Sequence, residues 1–486
     1  MADKLFKTFK NDMYDTIYAI GDIHGDIMPL VICLRDCCKV IKKKKGFDFH
    51  QNREDSNLIA EMSKEWNDPT FKEDLNYEWC GEKSVVVFCG DLLDNVRGNI
   101  ERKPQEFPFE EARVLKFINA INKQAMKAEG RLYKVLGNHD LYNLNGRTKT
   151  DYSSMVSNYA KTYPGYFQGA DGRLDYFGKG KPGAKLLGED GAYIFLMIKD
   201  FIFVHGGISS GLLNYHNIIN ANEALMEYIN NQSSVFDADS IDSENLLVLS
   251  PFTNDGIVID RFFGFKQEDV TEEQMCLSLY NKFKSLCREL LEEYSKYTEI
   301  QINKYSLLPS YPVCNPKNMK LVIGHCNQNK LTYDSNMIYR STFTKVISSD
   351  MDDGFYYNEE FGELVEDEST TIPTGIYGVT VSCGDRDDDL NMDKNKPSIF
   401  RVDVGMSRGF NMQAPSEVFL YSRTPQVLKI DYSDLFTPVV SIVKSTYQNS
   451  LHHMRDWGVN PYEKKYLKYK TKYLNLKEKV KKMKNY

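Results

Sequence analysis

The chain is 486 residues long, 42% hydrophobic and 27% charged, with a formal net charge of −7 at pH 7. That balance is ordinary for a globular protein with a sizeable core, and it argues against a dedicated nucleic-acid site. The opening "MADKLFKTFKND" has no stretch of signal-peptide type, and no run approaches the roughly 18–20 apolar residues of a membrane span.

In chain order, short apolar runs end in glycine turns and alternate with longer stretches of helical spacing. "TIYAIGD" (16–22) predicts a buried strand, followed by a helix over "IMPLVICLRDCCKVIKK" (27–43). Residues 42–83 read as a polar insertion. A second strand, "SVVVFCGD" (84–91), leads to a helix over "FEEARVLKFINAINKQAMKAEG" (109–130) and a third strand in "RLYKVLGNHD" (131–140). In "YIFLMIKDFIFVHGG" (193–207), Lys199-Asp200 marks a hairpin turn between two buried strands. Residues 266–298 predict one or two amphipathic helices that could cap a cleft. Residues 350–397 read as an acidic loop without the ligand spacing of a calcium loop. The alternation predicts an α/β layered core, whose ligands favour the carboxyl ends of strands.

Ten cysteines include no CxxC pair. Cys33, Cys37 and Cys38 fall in a predicted helix, so the cysteines read as buried free thiols of a reducing compartment, the cytoplasm or its equivalent. From Tyr462 to Tyr486 there are ten Lys against two Glu. Tyr462, Tyr466, Tyr469, Tyr473, Leu476, Val480 and Met483 follow a heptad spacing there, which predicts a basic helix able to bind a partner, an acidic surface or the acidic body of the chain itself.

The chemistry is concentrated at the turns. The predicted strands end in "GDIHGD" (21–26), "GDLLDN" (90–95), "GNHD" (137–140), "VHGG" (204–207) and "IGHC" (323–326). Of eight histidines, four (His24, His139, His205 and His325) stand in these turns beside glycine, which is not a distribution of solvated surface histidines. Carboxylate, imidazole and amide oxygen together suit first-row divalent cations such as Mn, Fe or Zn, and the motifs place no cysteine among these candidate ligands. Hydrolysis by metal-activated water needs no nucleophilic Ser or Cys, and no GxSxG, P-loop or GxGxxG competes with this reading.

The ordered set GDxHG, GDxxD, GNH[DE], HGG and GH resembles the calcineurin-like metallophosphoesterases, in particular the phosphoprotein phosphatase family. "GNHDLYNLNG", "SPFTNDGIVIDRFFG" (250–264) with Asp255 and Arg261, and "IFRVDVGMSRGF" (399–410) are similar to its Shewanella-like branch. The resemblance runs from about residue 16 to 432 and implies a four-layer α/β/β/α sandwich of two mixed sheets flanked by helices. It implies two divalent metal ions. Asp22 and His24 would hold one, Asp91 would bridge, and Asn138, His205 and His325 would complete the other. His139 would act as general acid paired with Asp94, while a metal-bridging hydroxide attacks phosphorus in line. We expect this domain over 1–440 and a helical basic tail over 441–486. The tail resembles Tyr/Lys/Leu segments on proteins of giant DNA viruses related to mimivirus, which would place the chain in host cytoplasm, viral factory or virion.

Three positions depart from the family pattern. Asn95 stands where protein phosphatases carry a phosphate-binding Arg, with Arg97 the nearest substitute and Arg261 a second substrate-binding candidate. Asp140 replaces the usual Glu, shortening a supporting carboxylate, and Asp26 is placed to cap the following helix. The leading reading is a phosphatase of phosphoprotein Ser/Thr or Tyr, or of a small phosphoester. A phosphodiesterase or dinucleoside-polyphosphate hydrolase is the alternative that Asn95 keeps open. A non-catalytic binding module is disfavoured because every expected ligand is present.

Overall fold

The computed structural model describes residues 9–10, 14–44, 77–94, 110–145, 174–209, 214–233, 256–264, 270–294, 315–326, 332–334, 337–339, 355–358, 363–366, 398–403, 406, 425–432 and 438–445. Asn95, Arg97, Asp255, the middle of the 42–83 insertion, most of the acidic segment and residues 446–486 lie outside them.

The strands are β1 (Phe9–Lys10), β2 (Thr16–Ile20), β3 (Ile41–Lys43), β4 (Tyr77–Trp79), β5 (Val85–Cys89), β6 (Arg131–Val135), β7 (Phe195–Ile198), β8 (Phe201–Val204), β9 (Lys320–Ile323), β10 (Thr332–Asp334), β11 (Met337–Tyr339), β12 (Phe355–Asn358), β13 (Glu363–Glu366), β14 (Ile399–Arg401), β15 (Gln426–Asp431) and β16 (Val439–Lys444). The helices are α1 (Ile27–Ile32), α2 (Glu110–Lys127), α3 (Asn138–Asn145), α4 (Pro182–Gly188), α5 (Tyr215–Ile229) and α6 (Glu272–Tyr294). Two mixed five-stranded sheets carry the fold, in the orders β16-β15-β2-β5-β6 and β1-β7-β8-β9-β14. In the first, β2, β5 and β6 run parallel and β15 antiparallel. In the second, β8, β9 and β14 run parallel, and β7 and β8 form the hairpin turning at Lys199-Asp200.

Side-chain alternation sets the layers, because successive strand residues point to opposite faces. Ile17, Ala19, Val85, Val87, Tyr133 and Val135 meet Leu196, Ile198, Phe201, Phe203, Val322 and Phe400 in a core between the sheets. Their neighbours Tyr18, Ile20, Val86 and Phe88 join a second cluster with Leu115, Ile118 and Ile121 of α2. On the other sheet, Phe195, Ile202, Val204 and Ile323 belong to that outer cluster with residues of α5 and α6. Helix, sheet, sheet and helix therefore make the expected four-layer α/β/β/α sandwich, with each fully buried aliphatic or aromatic side chain contributing about 1.5–3 kcal/mol.

Several local expectations change. The helix expected over 27–43 stops early: α1 gives way to a π-helical turn, Cys33–Cys37, in which Cys38 N bonds to Cys33 O at 2.8 Å. The chain then re-enters as β3, which pairs with β4 across the insertion. The β-branched Val40 and Ile41 are better served by extended backbone than by another helical turn. Residues 272–294 form one helix, α6, whose Met275, Leu279, Phe283, Leu286 and Leu290 lie in the outer core. The acidic segment contains an antiparallel hairpin, β12–β13, and β16 carries the first sheet to Lys444, across the expected boundary at 440.

Cys33, Cys37, Cys38, Cys80, Cys89 and Cys326 are free, as expected, although Cys80 is exposed. Cys276 and Cys287 depart from the expectation, being disulfide-bonded. Eleven residues apart on one helix, they are separated by about 16 Å of rise and cannot be paired with each other. Among the described residues no helix is long and apolar enough to cross a membrane.

Candidate metal centre

The motif turns follow the C-terminal ends of β2, β5, β6, β8 and β9, and the two sheets bring these ends together. His24 N donates to Asp91 O at 2.8 Å and Gly25 N to Leu92 O at 2.7 Å, joining the first turn to the second. The third turn opens α3, which begins at Asn138.

Two side-chain groups share Asp91. Asp22, His24 and Asp91 form one, and Asp91, His205 and His325 the other; in each group the ligand atoms lie within 4.8 Å of one another. His24 Nε2 is 3.7 Å from both Asp22 Oδ2 and Asp91 Oδ2. His205 Nε2 is 3.3 Å from Asp91 Oδ1 and 3.1 Å from Asn138 Oδ1. The imidazole tautomers follow from the other ring nitrogens. His24 Nδ1 is 3.0 Å from Leu93 O and His205 Nδ1 is 2.7 Å from Cys89 O. A carbonyl only accepts, so each Nδ1 carries a hydrogen toward it, and each Nε2 is left on the side of the carboxylates.

The donor set fits divalent cations, and the backbone is cut back to make room for it. A β-carbon at Gly137 would collide with Asp91 Oδ1, one at Gly324 would come within 2.6 Å of Asp22 Oδ1, and one at Gly90 would run into the His205 ring. His24, Asp91, Asp94 and His325 all adopt left-handed backbone, with φ of 44°, 48°, 68° and 59°. Non-glycine residues with bulky side chains rarely take that conformation, and it aims four functional groups inward from the turns.

The electrostatics follow from burial and crowding. Burial opposes the charge on Asp91, but His205, His139 and His24 together hold its carboxyl well below the usual range. Burial would lower His205 too, yet Asp91 outweighs it and raises the group. His325 is pushed well below its ordinary value by burial, then by His205 and Arg261. Asp140 is raised to about 7 by burial and by Asp91. Its Oδ1 accepts from Leu92 N and Leu93 N, both at 3.0 Å, and its Oδ2 from Gly137 N at 2.9 Å. The shortened carboxylate thus clamps the second turn to the third.

His139 packs edge-on against His24, with ring centroids 5.1 Å apart. Its backbone N donates to Asp91 Oδ1 at 2.9 Å, while its Nδ1 is 2.7 Å from Asp94 Oδ2. That pairing directs Nε2 back toward the centre, 4.0 Å from Asp91 Oδ2. Arg261 reaches the centre from the 256–264 segment, with its Nε donating to His325 Nε2 at 3.1 Å. Two buried groups hold that segment. Asp260 accepts from Ser209 N at 2.6 Å and from Phe262 N at 2.8 Å, and Arg401 Nε donates to Phe263 O at 2.7 Å.

Asp22, His24, Asp91, Asp94, Asn138, His139, His205, His325 and Arg261 are therefore brought to one place, and Arg97 lies outside the described residues. Asp26 is buried directly before α1. Sequence reasoning passed over Asn143, Asp260 and Arg401. Only Asn143 carried a signal, as a polar residue one helical turn after His139.

The calcineurin-like phosphoesterase family matches residues 16–259. An uncharacterized protein of Schizosaccharomyces pombe is 28% identical over 149 residues, 29% of this chain and 32% of that protein, so the match spans about a third of its relative's length. The cold-active protein-tyrosine phosphatase of the psychrophile Shewanella sp. is similar in structure with a TM-score of 0.39 and 16% identity, over 91% of this chain and 84% of that one. A 1.1 Å structure of a cold-active protein tyrosine phosphatase gives a TM-score of 0.36 and 18% identity, over 68% and 71% of the two chains.

Proposed function

The chain belongs to the calcineurin-like phosphoesterase family, and from that premise we propose that it hydrolyses phosphomonoesters, with phosphorylated Ser, Thr or Tyr of a protein as the physiological substrate class. The observation that carries this reading is the shared carboxylate of Asp91, common to both ligand groups. In this reading Asp22, His24 and Asp91 would hold one divalent ion, and Asp91, Asn138, His205 and His325 would hold a second, manganese suiting this oxygen and nitrogen set. Such ions, when bound, activate water and neutralise charge on the phosphoryl group.

The chain's own residues supply orientation and the proton. His24 and His205 are held through Nδ1 by Leu93 O and Cys89 O, which leaves each Nε2 on the side where an ion would be bound. His139, with Nδ1–H held by Asp94, delivers a proton from Nε2 to the leaving oxygen. Arg261 lies beside His325, where its guanidinium takes phosphoryl oxygens. The basic segment 462–486 is assigned a partner-binding role, in keeping with its resemblance to viral tails.

A second reading rests on Asn95. Without an arginine there, the dianionic charge of a monoester is less well matched, which favours a diester or a dinucleoside polyphosphate. Hydrolysis of an aryl phosphomonoester and its diester, after chelation and Mn²⁺ re-addition, separates the two, with Asp91→Asn as control. Monoester turnover that needs the metal and Asp91 supports the phosphatase. Diester preference replaces it with the second reading, and silence on both esters removes the enzymatic reading altogether.

A further inference from the structure

We propose that Asn143 is a positioning residue that fixes the Asp94 carboxylate and thereby aims the proton His139 gives to the leaving oxygen. The inference rests on His139 acting as proton donor. Asn143 follows His139 by four residues on α3, so the two side chains lie one turn apart on the same face. Asn143 Nδ2 is 2.9 Å from Asp94 Oδ1 and 2.8 Å from His139 O. A carboxylate and a carbonyl can only accept, so the NH₂ group faces both, and its two hydrogens are used there. Asp94 Oδ2 meanwhile accepts from His139 Nδ1 at 2.7 Å. Each oxygen of Asp94 therefore has its own donor, and both donors come from α3.

This second donor is needed because Asp94 does not arrive on a rigid element. It stands at the end of a turn, with a left-handed φ of 68°, and a small rotation of its carboxylate would swing Oδ2 away from the imidazole. Asn143 registers Asp94 against the backbone that carries His139, so ring and carboxylate move as one unit. Its amide is neutral. A lysine or arginine in its place would draw off the charge with which Asp94 stabilises the protonated ring; the amide orients that charge and leaves it intact. In the step itself the proton passes from His139 Nε2 to the leaving oxygen, while Nδ1 keeps its hydrogen toward Asp94.

The test uses the full chain loaded with Mn²⁺ and two substrates, nitrophenyl phosphate with a good leaving group and phenyl phosphate with a poorer one. Asn143→Leu keeps the volume and removes the donor. Its kcat on phenyl phosphate should fall by about tenfold and on nitrophenyl phosphate by less than about threefold, as for a weakened general acid. Bound metal, measured by elemental analysis, should be unchanged. In an Asp94→Ala background, Asn143→Leu should cause no further loss, because the residue acts through that carboxylate. Equal losses on both esters, loss of metal, or additive losses in the double variant would overturn the proposal. If Asp94→Ala itself fails to discriminate between the esters, the proton-donor reading of His139 falls, whatever Asn143→Leu does.

Discussion

Gly137 and Asp91 are packed so closely that a methyl group on Gly137 would occupy the space of Asp91 Oδ1, and would also come within 2.7 Å of His205 Nε2. Gly137 is not among the residues with positive φ, so its own torsions accept alanine, and the conflict is with Asp91 Oδ1, with the Asp91 backbone N at 2.5 Å and with His205 Nε2. Gly137→Ala should shift the turn that carries Asp91 and lower metal affinity by at least about tenfold, because displaced ligands cost that much even in the supporting layer. Calorimetric titration of the metal-free protein with Mn²⁺ measures it. Wild-type affinity in the variant would show that Asp91 does not need its observed position.

Asp140 makes a different contribution to the same centre. Three backbone N–H groups, of Leu92, Leu93 and Gly137, end on its carboxylate. Asp140→Ala removes the acceptor for all of them in a buried place, and the expected loss is about 2–4 kcal/mol of stability. Metal affinity should drop with it, since the second and third turns lose their common tie. Urea denaturation of the metal-free chain isolates the structural part, and an unchanged midpoint would contradict the clamp.

Arg401 is expected to act on substrate affinity from a distance. Its guanidinium is buried and holds Phe263 O, two residues beyond Arg261. Arg401→Leu should therefore mimic Arg261→Ala, raising KM for a phosphomonoester several-fold while kcat changes less, and the double variant should be little worse than either single one. A fall in kcat alone would place Arg401 outside phosphate binding.

Lys134 gives a pH-dependent prediction away from the centre. Its Nζ donates to Asn119 Oδ1 at 2.7 Å, Leu186 O at 3.1 Å and Glu189 O at 2.7 Å, tying β6 to α2 and α4. Burial pushes its pKa down from 10.5 to about 7, against the pull of Glu189 and Asp190. Between those values the unfolded chain binds more protons than the folded one, so this residue makes stability rise as pH goes from about 7 toward 10.5. Lys134→Met should remove that rise, and at pH 7 should cost about 1–3 kcal/mol by stranding the three acceptors. Denaturant melts of both proteins at pH 7 and 9 compare the slopes, and equal slopes would mean Lys134 titrates alike in both states.

The strands and turns of the centre were legible in the sequence because two strong patterns coincide there. "SVVVFCGD" is a run of β-branched residues cut off by glycine, and the residue after that glycine must face the ligand end of the strand. The break of the first helix was not legible. Cys33 to Lys43 keeps an apolar spacing compatible with helix, and only the pairing of β3 with β4, across an insertion, decides for extended chain. The roles of Asp260 and Arg401 were hidden for a related reason. Each bonds a backbone group belonging to a different segment, Ser209 in one case and Phe263 in the other, and no local pattern announces a partner more than fifty residues away. Asn143 differs, since its partner His139 is one helical turn away.

The left-handed backbone at His24, Asp91, Asp94 and His325 bears on how such a chain can change over generations. Each of these conformations costs about 1–2 kcal/mol with a side chain present, and glycine would relieve it. A lineage that kept only the fold would gain stability at four positions by drifting to glycine or asparagine, one substitution at a time. All four carry a histidine or an aspartate. In the proposed reading, the work of these side chains outweighs the stability that replacing them would gain.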